Sequence, residues 1–330
     1  MNFRTELNIP AATHPINYGQ SIGFIGSCFS ENIGSLLQKY KFSTTVNPFG
    51  TLYDPVSISG AIQSIIEKKS PSPEGFVRQN EVYFHTDYHS DLSGIDQEGL
   101  QKQIIEKTAE AHDFFKKSDY LFITLGTALG WKTSDKYNHV ANCHKLPGDR
   151  FFRYEISVKD GFTALNAMIE QILDFNPSIQ LVFTVSPVRH TKSGIIENSR
   201  SKSRLVQMVD YIQKNNPSVQ YFPAYEWMMD DLRDYRFYKS DLVHPNDSAT
   251  AYIWQKFQDC YFSSQTQLTA NRILKVVKSA EHKVMHPNTE AHREFCNKNL
   301  AEIRNLQRAH PYIDFATEVK VFQQYTDESL

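Results

Sequence analysis

The sequence is poor in the features that assign a protein quickly. Only four cysteines occur among 330 residues, Cys28, Cys143, Cys260 and Cys296. They are too few and too scattered for a disulfide framework, and none forms a CxxC pair of the kind that holds structural zinc. No apolar run approaches the roughly 18–20 residues of a membrane span. The opening MNFRTELNIPAATHPINYGQ shows no apolar stretch of signal-peptide type. Excess charge of one sign is also missing: 35 Lys and Arg stand against 37 Asp and Glu, a formal net charge of −2. A chain so balanced has no whole-body field to concentrate on phosphate, so neither nucleic acid nor a membrane surface is an expected partner. No phosphate-cradling glycine loop or dinucleotide fingerprint is present. These absences together predict a globular protein of the reducing cytoplasm.

What is present fits an α/β fold. With 40% hydrophobic and 13% aromatic residues the chain can fill a large core. Ile22–Gly26, Tyr120–Leu125 and Leu181–Val185 are short apolar runs bounded by turn residues, as strands covered on both faces are. Val219–Phe222 is a weaker fourth strand and Ser43–Val46 an edge strand. Helical patterns lie between them, at Glu31–Tyr40, Ile58–Lys68, Gln97–Lys117, Val158–Phe175, Arg204–Asn215 and Ala249–Phe262. Asn176-Pro177 and Asn216-Pro217 end two of these before a strand begins. Strand alternating with helix predicts a parallel sheet with helices on both faces. Two hairpins interrupt the rhythm, Phe76–His85 around Gln79-Asn80 and Trp131–His144 around Ser134-Asp135. From Ser263 onward the chain turns polar. We therefore expect a main domain over residues 1–262 and a helical extension over 263–330 packed on it.

Two segments carry chemistry. At Gly26-Ser27-Cys28-Phe29-Ser30-Glu31 a strand stops at glycine and re-enters a helix within a few residues. A side chain on such a turn points out of the sheet beside the free N–H groups of a helix start, which exposes a nucleophile and favours its anion. Ser30 with Glu31 also fits a helix N-cap. At Asp241-Leu242-Val243-His244 a carboxylate can hold one imidazole nitrogen and free the other as a base. Arg189 and His190 follow the third core strand, where ligands of open α/β sheets bind. Arg189 suits a carboxylate or phosphate, or a structural Asp. Lys202, in Ser199–Arg204, starts a helix and adds local positive charge, or else is a solvated helix face. Trp131 opens the second hairpin as pocket wall or packing. His139, Cys143 and His144, with His85 and His89, match no zinc spacing, so neither a metal nor any other cofactor is expected.

The pairing of the turn with Asp-x-x-His resembles the SGNH/GDSL hydrolase superfamily and, more narrowly, the GSCFA family, whose motif stands here as Gly26-Ser27-Cys28-Phe29-Ser30. NPFG at Asn47–Gly50, FITLGTA at Phe122–Ala128, NCHK at Asn142–Lys145, SPVRH at Ser186–His190 and the run from Tyr221 to Asn246 agree in order, as does the opening FRTEL. The resemblance, over roughly residues 1–260, implies a three-layer αβα sandwich, flavodoxin-like, with a central five-stranded parallel sheet. It also implies an acyl-ester hydrolase or acyltransferase. The superfamily's nucleophile lies two positions after the glycine, which is Cys28 here; Ser27 stands where an Asp would be and remains a candidate. Gly50 takes the place of the glycine whose N–H joins the oxyanion hole. The third block reads Gly126-Thr127-Ala128 and lacks its Asn, leaving Asn142 or Thr127 to supply that donor. Asp241 and His244 match the last block. The implied partner is a small acyl ester or an O-acetylated carbohydrate; the rival reading is a binding protein on the same fold.

Overall fold

The computed structural model describes residues 5–326, so the first two residues of the FRTEL motif lie outside the described residues. In chain order the elements are β1 (Ser21–Gly26), α1 (Cys28–Lys39), β2 (Ser43–Val46) and α2 (Pro55–Glu67). A hairpin of β3 (Phe76–Gln79) and β4 (Val82–His85), then α3 (Gln97–Phe115) and β5 (Tyr120–Leu125), follow. Next come β6 (Leu129–Thr133), β7 (His139–Val140), β8 (Phe151–Glu155), α4 (Val158–Phe175) and β9 (Gln180–Val185). The chain continues through α5 (Ile195–Asn215), β10 (Gln220–Tyr221), the short α6 (Ala224–Glu226) and α7 (Asp247–Tyr261). It closes with α8 (Ser264–Glu281), α9 (Glu290–Ala309) and α10 (Ala316–Gln323). Chain contacts divide it into two compact units. One takes in Ser21–Gly34 and Thr44–Trp254 with the described residues up to Asn8; the other takes in Ile9–Gln20, Ser35–Ser43 and the described residues from Gln255 on.

The first unit is built on a five-stranded sheet in the order β10-β9-β5-β1-β2. β5 pairs in parallel with β1 and β9, and β9 with β10. β5 is buried along its whole length, and β1 and β9 along all but their first residue, which is why they read as unbroken apolar runs. Leu121, Ile123, Leu125, Leu181, Phe183 and Val185 form one face and pack with Ile58, Ile62, Leu165, Ile169, Leu205 and Val209 from α2, α4 and α5. On the other face Phe24 stacks on Phe122 at 4.9 Å. Asp54 accepts from the N–H groups of Val56 and Ser57 with Pro55 behind it, so α2 starts three residues ahead of its apolar periodicity. The Gln79-Asn80 hairpin forms as expected, Asn80 adopting φ 55°. The second insertion is larger than the expected Trp131–His144 hairpin: β6 pairs with β7 and also with β8, a strand the sequence reading passed over.

In the second unit, α8, α9 and α10 close on Ile273, Val276, Leu300, Ile303, Leu306, Phe315 and Phe322. Ser263 and Thr289 cap α8 and α9 through their side-chain oxygens. Among the described residues no helix is long and apolar enough to cross a membrane.

Gly26, at the end of β1, is the tightest point of the sheet edge. It adopts φ +131°, and a Cβ there would collide with the backbone carbonyl of Thr124 on β5. Gly26→Ala is therefore expected to lower the urea midpoint through a loss of roughly 1–3 kcal/mol of unfolding free energy for the backbone conformation alone, and more for the overlap. An unchanged midpoint would show that the turn relaxes freely.

Candidate active site at the carboxyl ends of the strands

The turn after Gly26 separates Ser27 from Cys28. Ser27 is fully buried. Its N–H donates to Thr124 O, its carbonyl accepts from Ser30 N–H, and its hydroxyl accepts from Phe29 N–H at 3.4 Å. Ser27 thus caps the start of α1. Ser30, the cap expected from sequence, instead sits inside the first turn and sends its hydroxyl to Thr124 Oγ1 at 2.7 Å. Cys28 is half-buried at the first helical position, its thiol uncrosslinked. Burial, then the nearby Glu31 carboxylate, push the thiol up; Lys202 and the N–H groups of Cys28 and Phe29 pull it back.

Lys202 is not on a solvated face. It is 1% exposed, and its ammonium donates to the carbonyls of Gly126 at 2.7 Å and Ser186 at 2.6 Å, the residues that directly follow β5 and β9. It belongs to a buried polar stripe on the first turns of α5. Asn198 accepts the His190 N–H at 2.8 Å, and Ser201 accepts the Ala128 N–H at 2.7 Å. Helical periodicity therefore fails where α5 meets the strand ends, and α5 begins nine residues before its apolar pattern does.

Burial brings the Lys202 ammonium from 10.5 down to about 7, against the opposing influence of Cys28. The neutral amine keeps two hydrogens and still satisfies both carbonyls. Unfolded lysine holds its proton to about pH 10.4, so above about pH 7 the unfolded chain binds the extra proton. Stability contributed by Lys202 is then lowest below pH 7 and rises from there towards pH 10. Urea unfolding at about pH 6 and about pH 8 should show this rise in the wild type and lose it in Lys202→Met; equal slopes would contradict it.

The Asp241–His244 pair is intact. Asp241 Oδ2 lies 2.7 Å from His244 Nδ1, and Oδ1 accepts the N–H groups of His244 at 3.0 Å and Val243 at 2.8 Å. Those two N–H groups, then the imidazole, bring the Asp241 carboxyl down to about 2. Nδ1–H thus faces the carboxylate and Nε2 is the free nitrogen. Leu242, at φ 56°, makes the loop tight enough for this meeting. The loop is tied to the sheet edge where Arg189 N–H donates to Val243 O at 3.3 Å.

His190 occupies the middle of the site. Its ring stands edge-on to Tyr53 at 5.3 Å, and its Nε2 would lie 3.3 Å from a Cβ on Gly126. Among the described residues that buried Nε2 has no partner. Burial, then Lys202, Arg153, His244 and Lys192, drive the ring down to about 3, so it is neutral at physiological pH. Tyr53, which sequence reasoning missed, accepts the N–H groups of Gly126 and Thr127 on its carbonyl and interacts electrostatically with Cys28.

The donors expected from sequence are engaged elsewhere. Gly50 N–H closes a turn onto Asn47 O at 2.8 Å, and Thr127 gives its N–H to Tyr53 O and shares its hydroxyl with Ser201 at 3.0 Å. Asn142 faces Thr86, Ser90 and His144, accepting the His144 N–H at 2.9 Å. Asn47, by contrast, accepts the Gly26 N–H on Oδ1 at 2.9 Å, and among the described residues its buried Nδ2 has no partner. Trp131 packs beside Val140, Leu146 and Phe151, with the Arg153 guanidinium 4.7 Å over its ring. The histidines of the hairpins are used by their neighbours. His85 Nε2 meets Ser72 O, His139 lies between Ser57 and Tyr154, and His144 joins Ser90 to His85 O. Among the described residues no group of three or more His, Cys, Asp or Glu is placed to hold a metal ion.

No curated protein matches the chain in sequence. Solved structures give distant similarities. An acetyl xylan esterase (Est2A) from the rumen bacterium Butyrivibrio proteoclasticus has 10% identity and a TM-score of 0.39, over 77% of this chain and 64% of that one. A carbohydrate esterase family 2 enzyme with a carbohydrate-binding domain, from Corynascus thermopiles (Myceliophthora fergusii), has 12% identity and a TM-score of 0.38, over 80% and 68%. A family two carbohydrate esterase from Clostridium thermocellum, in complex with cellohexaose, has 12% identity and a TM-score of 0.34, over 74% and 63%. The chain thus spans just under two thirds of the first of these. The GSCFA family matches residues 21–257, and the C-terminal domain of GSCFA domain proteins matches 273–328. With the greater part of its length matched, motif turn and Asp-x-x-His loop included, the chain belongs to the GSCFA family.

Proposed function

We propose that this chain is an acyl-ester hydrolase of SGNH type with Cys28 as nucleophile and His244 as base. One observation supports the reading: the half-buried Cys28 on the turn after β1, and the Asp241–His244 pair tied to the chain just after β9, both lie at the carboxyl edge of one parallel sheet. His244 Nε2 takes the thiol proton as Sγ attacks the ester carbonyl, whose electron pair moves onto oxygen. Asp241 stabilises the imidazolium. Collapse of the tetrahedral adduct breaks the C–O bond, His244 returns the proton to the departing alkoxide, and Cys28 is left as a thioester. Water, deprotonated by His244, then releases the acid and regenerates the thiol. Metal and cofactor have no step in this scheme.

The oxyanion takes the Cys28 N–H at the start of α1, and the orphaned Asn47 amide stands in for the missing third-block Asn. Asn47→Asp keeps an acceptor for Gly26 N–H and removes the Nδ2 donor, so kcat is expected to fall roughly 10²–10³-fold; unchanged kcat would remove Asn47 from the hole. By the SGNH resemblance the substrate is a small acyl ester or an O-acetylated carbohydrate. Turnover above background on a panel of acyl esters tests the whole reading. A wild-type protein at background on every ester would make it a binding protein on the same fold.

A further inference from the structure

The chain carries a formal net charge of −2, yet the rim of this site is cationic. The groups that most depress the His190 ring are basic, Lys202, Arg153, His244 and Lys192; Lys202 is held by two backbone carbonyls and His244 by Asp241, which leaves Arg153 and Lys192 at the rim. The four come from separate elements, β8 (Arg153), a 3-10 turn after β9 (Lys192), α5 (Lys202) and the Asp241–His244 loop. Arg189, next to His190 in the chain, adds a fifth. Of the carboxylates near the site, Asp241 is engaged by His244 and Glu155 by Arg204, while Glu31 lies on the Cys28 side.

Two of these cations are immobilised without being neutralised. The Arg189 guanidinium lies 4.2 Å over the Tyr238 ring and 5.2 Å from that of Tyr235. Both tyrosines precede the Asp241–His244 turn on one loop. The Arg153 guanidinium lies over the Trp131 ring and donates to Ser193 Oγ. Among the described residues neither makes an ion pair with a carboxylate. An aromatic face fixes the plane of a guanidinium, and the N–H groups not already given to Ser193 by Arg153, or to Tyr235 and Tyr238 by Arg189, can meet a planar or tetrahedral anion. A charged rim with its counter-ions missing is complementary to a ligand that brings them.

We propose that the ester taken by this site carries an anionic group, a carboxylate or a phosphate, bound by Arg153 and Arg189 with Lys192 at the rim. The proposal rests on Cys28 and His244 being the hydrolytic pair and names the substrate class of that site. The anion lies away from the reacting carbonyl and binds equally in ground and transition states. Its signature is therefore in KM rather than kcat.

Steady-state kinetics on three esters tests this. 4-Nitrophenyl acetate is neutral, 4-nitrophenyl hemisuccinate carries its charge on the acyl side, and acetyl phosphate carries it on the leaving side. The wild type should show a KM about tenfold or more lower for one anionic ester than for the neutral one. Arg189→Gln and Arg153→Gln should each shrink that ratio. Added salt should shrink it in the wild type, a readout that needs no variant. The arm that gains tells on which side of the ester bond the anion sits. Equal KM values for all three, or a ratio indifferent to salt and to both variants, overturn the proposal and leave the hydrolase reading standing. Background rates of the wild type on all three, and on the wider ester panel, overturn both.

Discussion

Cys28→Ala is expected to bring 4-nitrophenyl acetate turnover down to background, a fall on the order of 10⁴–10⁶. Ser27→Ala should retain turnover and lose stability instead, about 1 kcal/mol as for other helix caps. The contrast follows from the turn itself. Ser27 is fully buried and its hydroxyl accepts the Phe29 N–H, so its job is to start α1. Cys28 is half-buried, and its sulfur lies against the first N–H groups of the helix and within reach of the Lys202 field. A thiol also suits this base: burial and Glu31 keep it protonated at rest, so it requires His244 only when the ester is in place. Loss of turnover in Ser27→Ala with retention in Cys28→Ala would reverse the assignment.

The second large effect belongs to the Asp-x-x-His loop. His244→Ala is expected to lower kcat and kcat/KM together, by roughly 10³–10⁴, because the base acts only as the transition state forms. Asp241→Asn is the sharper variant. Its side-chain oxygen still accepts the N–H groups of Val243 and His244, so the loop keeps its shape. Its amide in place of Oδ2 faces Nδ1 with a donor and favours the wrong tautomer. A fall of roughly 10²–10⁴ without a change in unfolding midpoint is expected. Full activity in Asp241→Asn would show that His244 needs no orienting carboxylate.

How much of this was readable beforehand depended on whether one apolar period governed the segment. Tyr120–Leu125, covered on both faces, was legible to the residue, and Ser43–Val46 likewise. Val219–Phe222 shortened to Gln220–Tyr221, an edge strand with two half-buried residues. α5 was cut short in the reading because Asn198, Ser201 and Lys202 turn inward to bind backbone at the strand ends, and polar residues on a buried stripe look like a solvent face. The same inversion made a solvated face one of the readings of Lys202. β8 went unread because its Phe151–Glu155 alternation has only one fully buried residue. Of the candidate site, the Gly26 turn and the Asp241–His244 spacing were legible because each is local chain geometry. Tyr53 and Asn47 were not, since their roles come from contacts with Gly126 and Gly26 across the sheet edge.

The most direct test of the central claim is to trap the acyl-enzyme. The wild type is mixed with 4-nitrophenyl acetate, quenched in acid during the first turnover and mapped by peptide mass spectrometry. The account predicts one acetyl group on Cys28, removed by neutral hydroxylamine as a thioester is, and not formed in His244→Ala. An acetyl group on Ser27, resistant to that treatment, or turnover with no acetylated Cys28 at any time, would contradict it.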